Sequence, residues 1–271
     1  MTSSSNIHPT AIVEPGAVIG DGCRIGPYCH IGAQVRLGRE NVLHAHVVLA
    51  GSTIMGERNE VYPFCCFGTL AEDFRARHEW TTYVRIGNGN IFREYTTINA
   101  SVSEGGSTEV GSECFFLSYS HVAHDCVVGD KVILSCDAKI SGHVQIGANA
   151  TVGAKTGVKQ HVRIGTFAFV GGLNRVIKDI LPYCIADGYP AVARAVNKVG
   201  LQRSGFSSEQ IRIIRDAFRT MMRRGLPITE AVALLRERYP DNREVREMVE
   251  FAVSSKAGLA RPSDRDTDEA S

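Results

Sequence analysis

The sequence is defined first by what it lacks. No apolar run approaches the roughly 18 residues that span a bilayer, so a membrane-spanning helix is not expected. Neither sign of charge is in excess: 30 Lys and Arg stand against 29 Asp and Glu over 271 residues. A net charge of +1 gives no reason to expect nucleic acid as a partner. The opening stretch Met1–Asn6 is polar and lacks the charged-then-apolar layout of a secretory signal, so a cytoplasmic location is expected. The eight cysteines, Cys23, Cys29, Cys65, Cys66, Cys114, Cys126, Cys136 and Cys184, form no C-x-x-C pair. They read as reduced, mostly buried small apolar residues.

What the chain does have is a period of six. From Ile7, every sixth residue is apolar: Val13, Ile19, Ile25, Ile31, Leu37, Leu43, Leu49, Met55, Val61 and Phe67. A second ladder starts at Ile86, 19 residues on rather than 18, and runs to Val176 with Glu104 as its one polar member. This period suits neither an amphipathic helix nor an alternating strand. It fits short strands that turn a corner after each hexapeptide, three to a triangular coil of 18 residues. Twenty-seven rungs give nine coils and a prism roughly 43 Å long at about 4.8 Å per coil. Glycine often follows the rung residue (Gly20, Gly26, Gly38, Gly129, Gly147), which is expected to supply positive φ at the corners. Asn41, Asn59, Asn90 and Asn149 are expected there in left-handed conformation.

Two segments break the repeat and are expected to be loop excursions, one near 68–85 and one at 101–109. Beyond Val176 the composition turns to helix formers. Residues 1–190 are expected as the prism and 191–257 as a helical domain. In the latter, a capping box Ser207-x-x-Gln210 opens a helix to about Arg224, ended by Gly225. A second helix is expected from Thr229 to Tyr239. A third begins at Asp241, with Glu244 completing another box, and runs to about Lys256. Residues 258–271 read as a disordered tail.

The coil length also acts as a ruler for chemistry. His124, Gly142 and Gln160 are 18 apart and should stack on one face; Asp125, His143 and His161 form the adjacent column. A neutral imidazole can take a hydroxyl proton, a carboxylate can orient it, and a backbone N–H can face an oxyanion. These are the parts of an acyl transfer. Two other readings stand beside it: solvated side chains on the outside of a prism, and a zinc site drawing on His121, His124 and Cys126.

The segments Ile7-His-Pro-Thr-Ala-Ile-Val13, His121-x-x-His124-Asp125-Cys126, Ser141-Gly142-His143, Val170-Gly-Gly172 and Gly200-Leu-Gln-Arg203-x-Gly-Phe206 resemble the UDP-N-acetylglucosamine O-acyltransferases that begin lipid A synthesis. The resemblance covers roughly residues 7–257 and supplies what the period cannot, the left-handed sense of the parallel β-helix. It implies a homotrimer moving a 3-hydroxyacyl chain from acyl carrier protein to the 3-hydroxyl of UDP-N-acetylglucosamine, with no cofactor and no metal. It implies His124 as general base, Asp125 as its support and the Gly142 N–H at the oxyanion. Asp73, Arg75, His121, His143 and Gln160 are implied as substrate contacts, Asn197 and Arg203 as the nucleotide end, and Gly172 as a limit on acyl length. The chain departs from the family pattern at Lys159, Pro190, Val199 and Ser204. Arg24, Arg36, Arg39, Arg58 and Arg93 are candidates for a strip that meets the acidic carrier. The remaining alternatives are an N-acyltransferase of a sister branch, a zinc hydratase and a non-catalytic scaffold on the same fold.

Overall fold

The computed structural model describes residues 5–222 and 226–262. Its body is a left-handed parallel β-helix whose short strands, mostly of two residues, fall among the described residues into three sheets of eleven, nine and eight strands. The first face carries Ile7, Ile25, Leu43, Val61 and Phe92, the second Val13, Ile31, Leu49, Phe67 and Ile98, and the third Ile19, Leu37, Met55, Ile86 and Val110. From Ile25 to Val176 the rung side chains point into the prism and are buried. Burying each such aliphatic or aromatic side chain contributes about 1.5–3 kcal/mol. Phe67, Phe92 and Phe116 stack edge to face inside it, with centroids 4.9 and 5.1 Å apart.

The register corrects the rung count. Val110 pairs with Ile86, a step of 24 residues, so the second excursion adds six residues and Glu104 is not a rung. The ladder kept its phase across this insertion only because its length equals one hexapeptide. The prism thus has 26 rungs, not 27. Met55 pairs with Ile86, a step of 31, so the first excursion adds thirteen residues to an 18-residue coil. Both excursions leave from the edge between the second and third faces.

The corners also work differently from the expectation. Apart from Gly68, which follows Phe67 at the start of the first excursion, the glycines after the rungs do not have positive φ. They are small because the next coil is close: a Cβ on Gly20 would lie 2.5 Å from the Gly38 carbonyl, and one on Gly38 2.6 Å from the Gly56 oxygen. The left-handed position comes two residues later and takes any side chain: Tyr28 (φ 58°), Glu40 (60°), Asp125 (59°), His143 (60°) and Asn149 (60°). Asn41, Asn59 and Asn90 are not left-handed. They are buried and form a ladder along the third–first edge, Asn59 Nδ2 to Asn41 Oδ1 and Asn90 Nδ2 to Asn59 Oδ1, both 2.9 Å. Six of the eight cysteines are buried, while Cys66 is half-buried and Cys136 exposed. Several of the buried thiols donate to a carbonyl of the next coil, as Cys29 Sγ does to His44 O at 2.8 Å.

After Val176 the first face gains a hairpin of Cys184–Asp187 and Val192–Val196, so the sheet runs six residues past the expected division at 190. Four helices follow among the described residues: α1 (Lys198–Arg203), α2 (Ser208–Met222), α3 (Ile228–Arg238) and α4 (Arg243–Val253). The Ser207–Gln210 box forms reciprocally. The cap of α4 is Asn242 rather than Asp241, and Glu244 accepts instead from Gln210 of α2. The expected end of α2 at Arg224 and Gly225 lies outside the described residues. The first part of the expected tail is docked: Ala260 donates to Asp179 O and accepts from Ala193 N. Residues 263–271 lie outside the described residues. No helix among the described residues is long and apolar enough to cross a membrane.

Candidate active site

The second–third edge gathers the chemistry. Its turn residues are left-handed, so the side chains of Asp125, His143 and His161 project outward one above the other. The rings of His143 and His161 stack in parallel at 4.6 Å. His124, the preceding residue, turns inward and is only 2% exposed. Its ring lies directly over Gly142: a Cβ there would sit 2.4 Å from Cε1 and 2.5 Å from Nε2. Glycine at 142 is therefore a condition for seating the imidazole, and no acceptor among the described residues takes its N–H. His124 Nδ1 lies 2.8 Å from Asp125 Oδ2. With the proton on Nδ1, Nε2 is left as an acceptor.

Asp125 is itself held. Ser101 Oγ donates to Oδ1 in a short hydrogen bond, and the Val102 N–H donates to Oδ2 at 3.1 Å. Burial alone would push the Asp125 carboxyl up; the bonds from Ser101, His124 and Val102 outweigh it and hold the group below its ordinary value. His143 Nε2 is 3.9 Å from Asp125 Oδ2, and burial pushes its imidazole below the usual value against the pull of that carboxylate. His121, on the second face, bonds Thr97 Oγ1 at 2.8 Å and faces Glu72 at 3.5 Å. Its imidazole is likewise lowered by burial, against Glu72.

The first excursion folds back towards this edge. Asp73 and Arg75 form a two-pronged pair on it, Nε and Nη2 reaching the carboxylate at 2.9 and 2.7 Å. That pairing holds the Asp73 carboxyl well below the carboxylate range, and His124 lowers it further. Gln160 and His161 line a cavity of about 780 Å³ together with Asp125, His143, Lys159 and Lys256. Lys159, a departure from the family pattern, thus opens into the same cavity.

Three expected residues do not join this group within one chain. Gly172 lies on the first–second edge, where a Cβ would be 3.2 Å from Ala154 O, tight but not excluded. Asn197 caps α1, accepting from Gly200 N and donating to Phe167 O on the third–first edge. Arg203 is exposed in the last turn of the same helix. Of the arginine strip, Arg39 and Arg58 pair with Glu57 and Arg93 with Glu94.

For metal chemistry, the zinc reading through Cys126 does not hold. That thiol is buried in the prism and donates to Ser141 O. His124, Asp125 and His143 do offer donor atoms within 4.8 Å of one another, and His124 Nδ1 and Asp125 Oδ2 are hydrogen-bonded to each other. Ser101, Val102 and Thr108, which hold Asp125, were not identified from the sequence because they belong to the excursion and the strand after it, where counting by 18 fails.

A hexapeptide-repeat prism with a buried histidine on one edge, bonded to a half-buried aspartate and seated against a glycine of the next coil, defines a hexapeptide-repeat acyltransferase. Residues 4–39 match the model of the bacterial transferase hexapeptide, and residues 179–260 match domain 2 of UDP-N-acetylglucosamine O-acyltransferase. The chain is similar over 94% of its length to the UDP-N-acetylglucosamine O-acyltransferase of Moraxella catarrhalis, at 36% identity, 99% of that chain and a TM-score of 0.90. It is equally similar to LpxA of Acinetobacter baumannii, at 35% identity, 94% of this chain, 99% of that one and 0.90. The UDP-N-acetylglucosamine acyltransferase of Francisella novicida matches at 29% identity, 98% of both chains and 0.92. The chain belongs to the UDP-N-acetylglucosamine O-acyltransferase family. It is an acyltransferase.

Proposed function

We propose that the chain transfers a 3-hydroxyacyl group from acyl carrier protein to the 3-hydroxyl of UDP-N-acetylglucosamine, the first step of lipid A synthesis. The observation that carries the mechanism is the His124 ring, bonded through Nδ1 to Asp125 and lying over Gly142. Nε2 of His124 takes the sugar hydroxyl proton as the oxygen attacks the thioester carbonyl. The Gly142 N–H faces the tetrahedral oxyanion. The C–S bond then breaks, the ester remains on the sugar, and His124 returns its proton to the leaving thiolate. Asp125 stays ionised and stabilises the imidazolium between the two steps.

Asp73 and Arg75, with His121, His143 and Gln160, are assigned to the sugar and the acyl carbonyl. Asn197 and Arg203 are assigned to the nucleotide, where the planar guanidinium suits a phosphate. Gly172 is assigned to the acyl chain: it is exposed and its φ is not left-handed, so no turn conformation requires glycine there. Because these groups lie on three different edges of one prism, the site is assigned to a homotrimer in which edges of neighbouring prisms meet. A cytoplasmic site of reaction is part of the same proposal.

The test is turnover of labelled UDP-N-acetylglucosamine with 3-hydroxyacyl carrier proteins of several chain lengths. His124→Ala is expected to lower kcat by at least about 10²-fold, the scale of a lost general base. Wild-type inactivity with every donor, or a mutant equal to wild type, would sink the reading.

A further inference from the structure

The segment 101–109 is expected from the sequence as a loop excursion, and the contacts of its first six residues point inward. Ser101 is 1% exposed. Its hydroxyl donates to Asp125 Oδ1 and accepts from Ser103 N at 3.0 Å. The neighbouring Val102 N–H donates to Asp125 Oδ2, and Thr108 Oγ1, on the strand after the insertion, accepts from the Asp125 N–H at 2.8 Å. Thr108 is fully buried. The turn closes through Gly106 N to Ser103 O at 2.9 Å. A Cβ on Gly106 would meet Ser101 Oγ at 2.2 Å, so the turn requires glycine where it packs against the hydroxyl.

We infer that Ser101 is a positioning residue for the acyl transfer: the insertion fixes the Asp125 carboxylate in the rotamer that meets His124 Nδ1. A carboxylate on a left-handed turn has several rotamers open to it. Occupying Oδ1 with a hydroxyl from behind leaves one arrangement in which Oδ2 faces the imidazole. Such charge-assisted bonds are roughly twice as strong as neutral ones. Ser101 does not reach substrate and acts only through Asp125, so the inference rests on the reading of His124 as the base.

The experiment is a double-mutant cycle on the full-length enzyme, using UDP-N-acetylglucosamine and 3-hydroxyacyl carrier protein. Ser101→Ala is expected to lower kcat about 10-fold with KM for both substrates little changed, the loss expected for one charge-assisted bond. In an Asp125→Asn background the same change is expected to cost under about 2-fold, because the group it acts through is already altered. A purely structural serine would cost the same in both backgrounds. If Ser101→Ala fails to fold, Gly106→Ala keeps the serine but drives a methyl into its hydroxyl and is expected to give the same kcat loss; Ser101→Thr, which keeps the hydroxyl, is expected to retain more activity than Ser101→Ala. Wild-type kcat in Ser101→Ala, or full additivity with Asp125→Asn, overturns the inference while leaving His124 as base. Wild-type inactivity overturns the functional reading instead.

Discussion

Gly142 shows how a single residue can carry two requirements. Its missing side chain is what lets the His124 ring lie flat against the next coil, and its N–H is the one proposed to face the oxyanion. Gly142→Ala would put a methyl within 2.5 Å of two ring atoms. His124 is almost fully enclosed and cannot move aside without losing Asp125. The expected result is a kcat at least about 10²-fold lower, while Gly157→Ala, whose Cβ would meet nothing within 4 Å, leaves kcat unchanged. The histidines around this site also set a pH dependence. Burial depresses His121 and His143 in the folded state, so their contribution to stability is full above the ordinary histidine value of about 6.5 and is lost as pH falls through their lower folded values. Asp125 is also depressed, and its contribution is lost only below about pH 4. The thermal midpoint is therefore expected to fall between pH 7 and 5 and again below 4. A His121→Gln, His143→Gln variant should flatten the first drop, and a wild-type midpoint level from pH 7 to 5 would contradict it. At this scale the sequence was informative where counting by 18 holds, which is why His124, Asp125, Gly142 and His143 could be placed together. Ser101 was hidden because the inserted hexapeptide keeps the phase of the ladder while shifting its register.

At the scale of elements, the edges of the prism are held by polar ladders rather than by turn propensity. Asn59 is the centre of one. Its amide donates to Asn41 Oδ1 and Gly87 O, and its oxygen accepts from the backbone and side-chain nitrogens of Asn90. Asn59→Ala would leave these buried partners unmatched, at a cost of about 3 kcal/mol. Urea unfolding should show it as a lower midpoint, and a change within about 0.5 kcal/mol would mean that the ladder is dispensable. The period of six marked these positions but not their role, since asparagine suits both a left-handed turn and a buried ladder. The burial of Asn41, Asn59 and Asn90 decides between them. The helical segment was legible through its capping box because that signal is local. The hairpin of 184–196 was not, because its strands take their pairing from the sheet they extend and carry no rung pattern of their own.

The residues assigned to the proposed reaction lie on three different edges of the prism. His124, Asp125, Gly142 and His143 share the second–third edge, Gly172 lies on the first–second edge, and the Asn197 side chain bonds to Phe167 on the third–first edge. No bending of a rigid prism brings these edges together, whereas a second prism packed alongside can set its third–first edge against the first prism's second–third edge. A closed three-fold ring repeats that contact three times. This arrangement predicts complementation. His124→Ala and Arg203→Ala, each impaired alone, are unfolded, mixed in equal amounts and refolded together. Where a site takes its histidine from one chain and its arginine from the next, about one quarter of the sites in random mixed trimers carry both intact. Activity should rise above the mean of the two variants refolded separately, towards about a quarter of wild type. If every chain builds its own site, no mixed assembly holds an intact one and the activity stays at that mean. The same mixture made with His124→Ala and Asp125→Asn, two residues on one edge of one chain, should gain nothing.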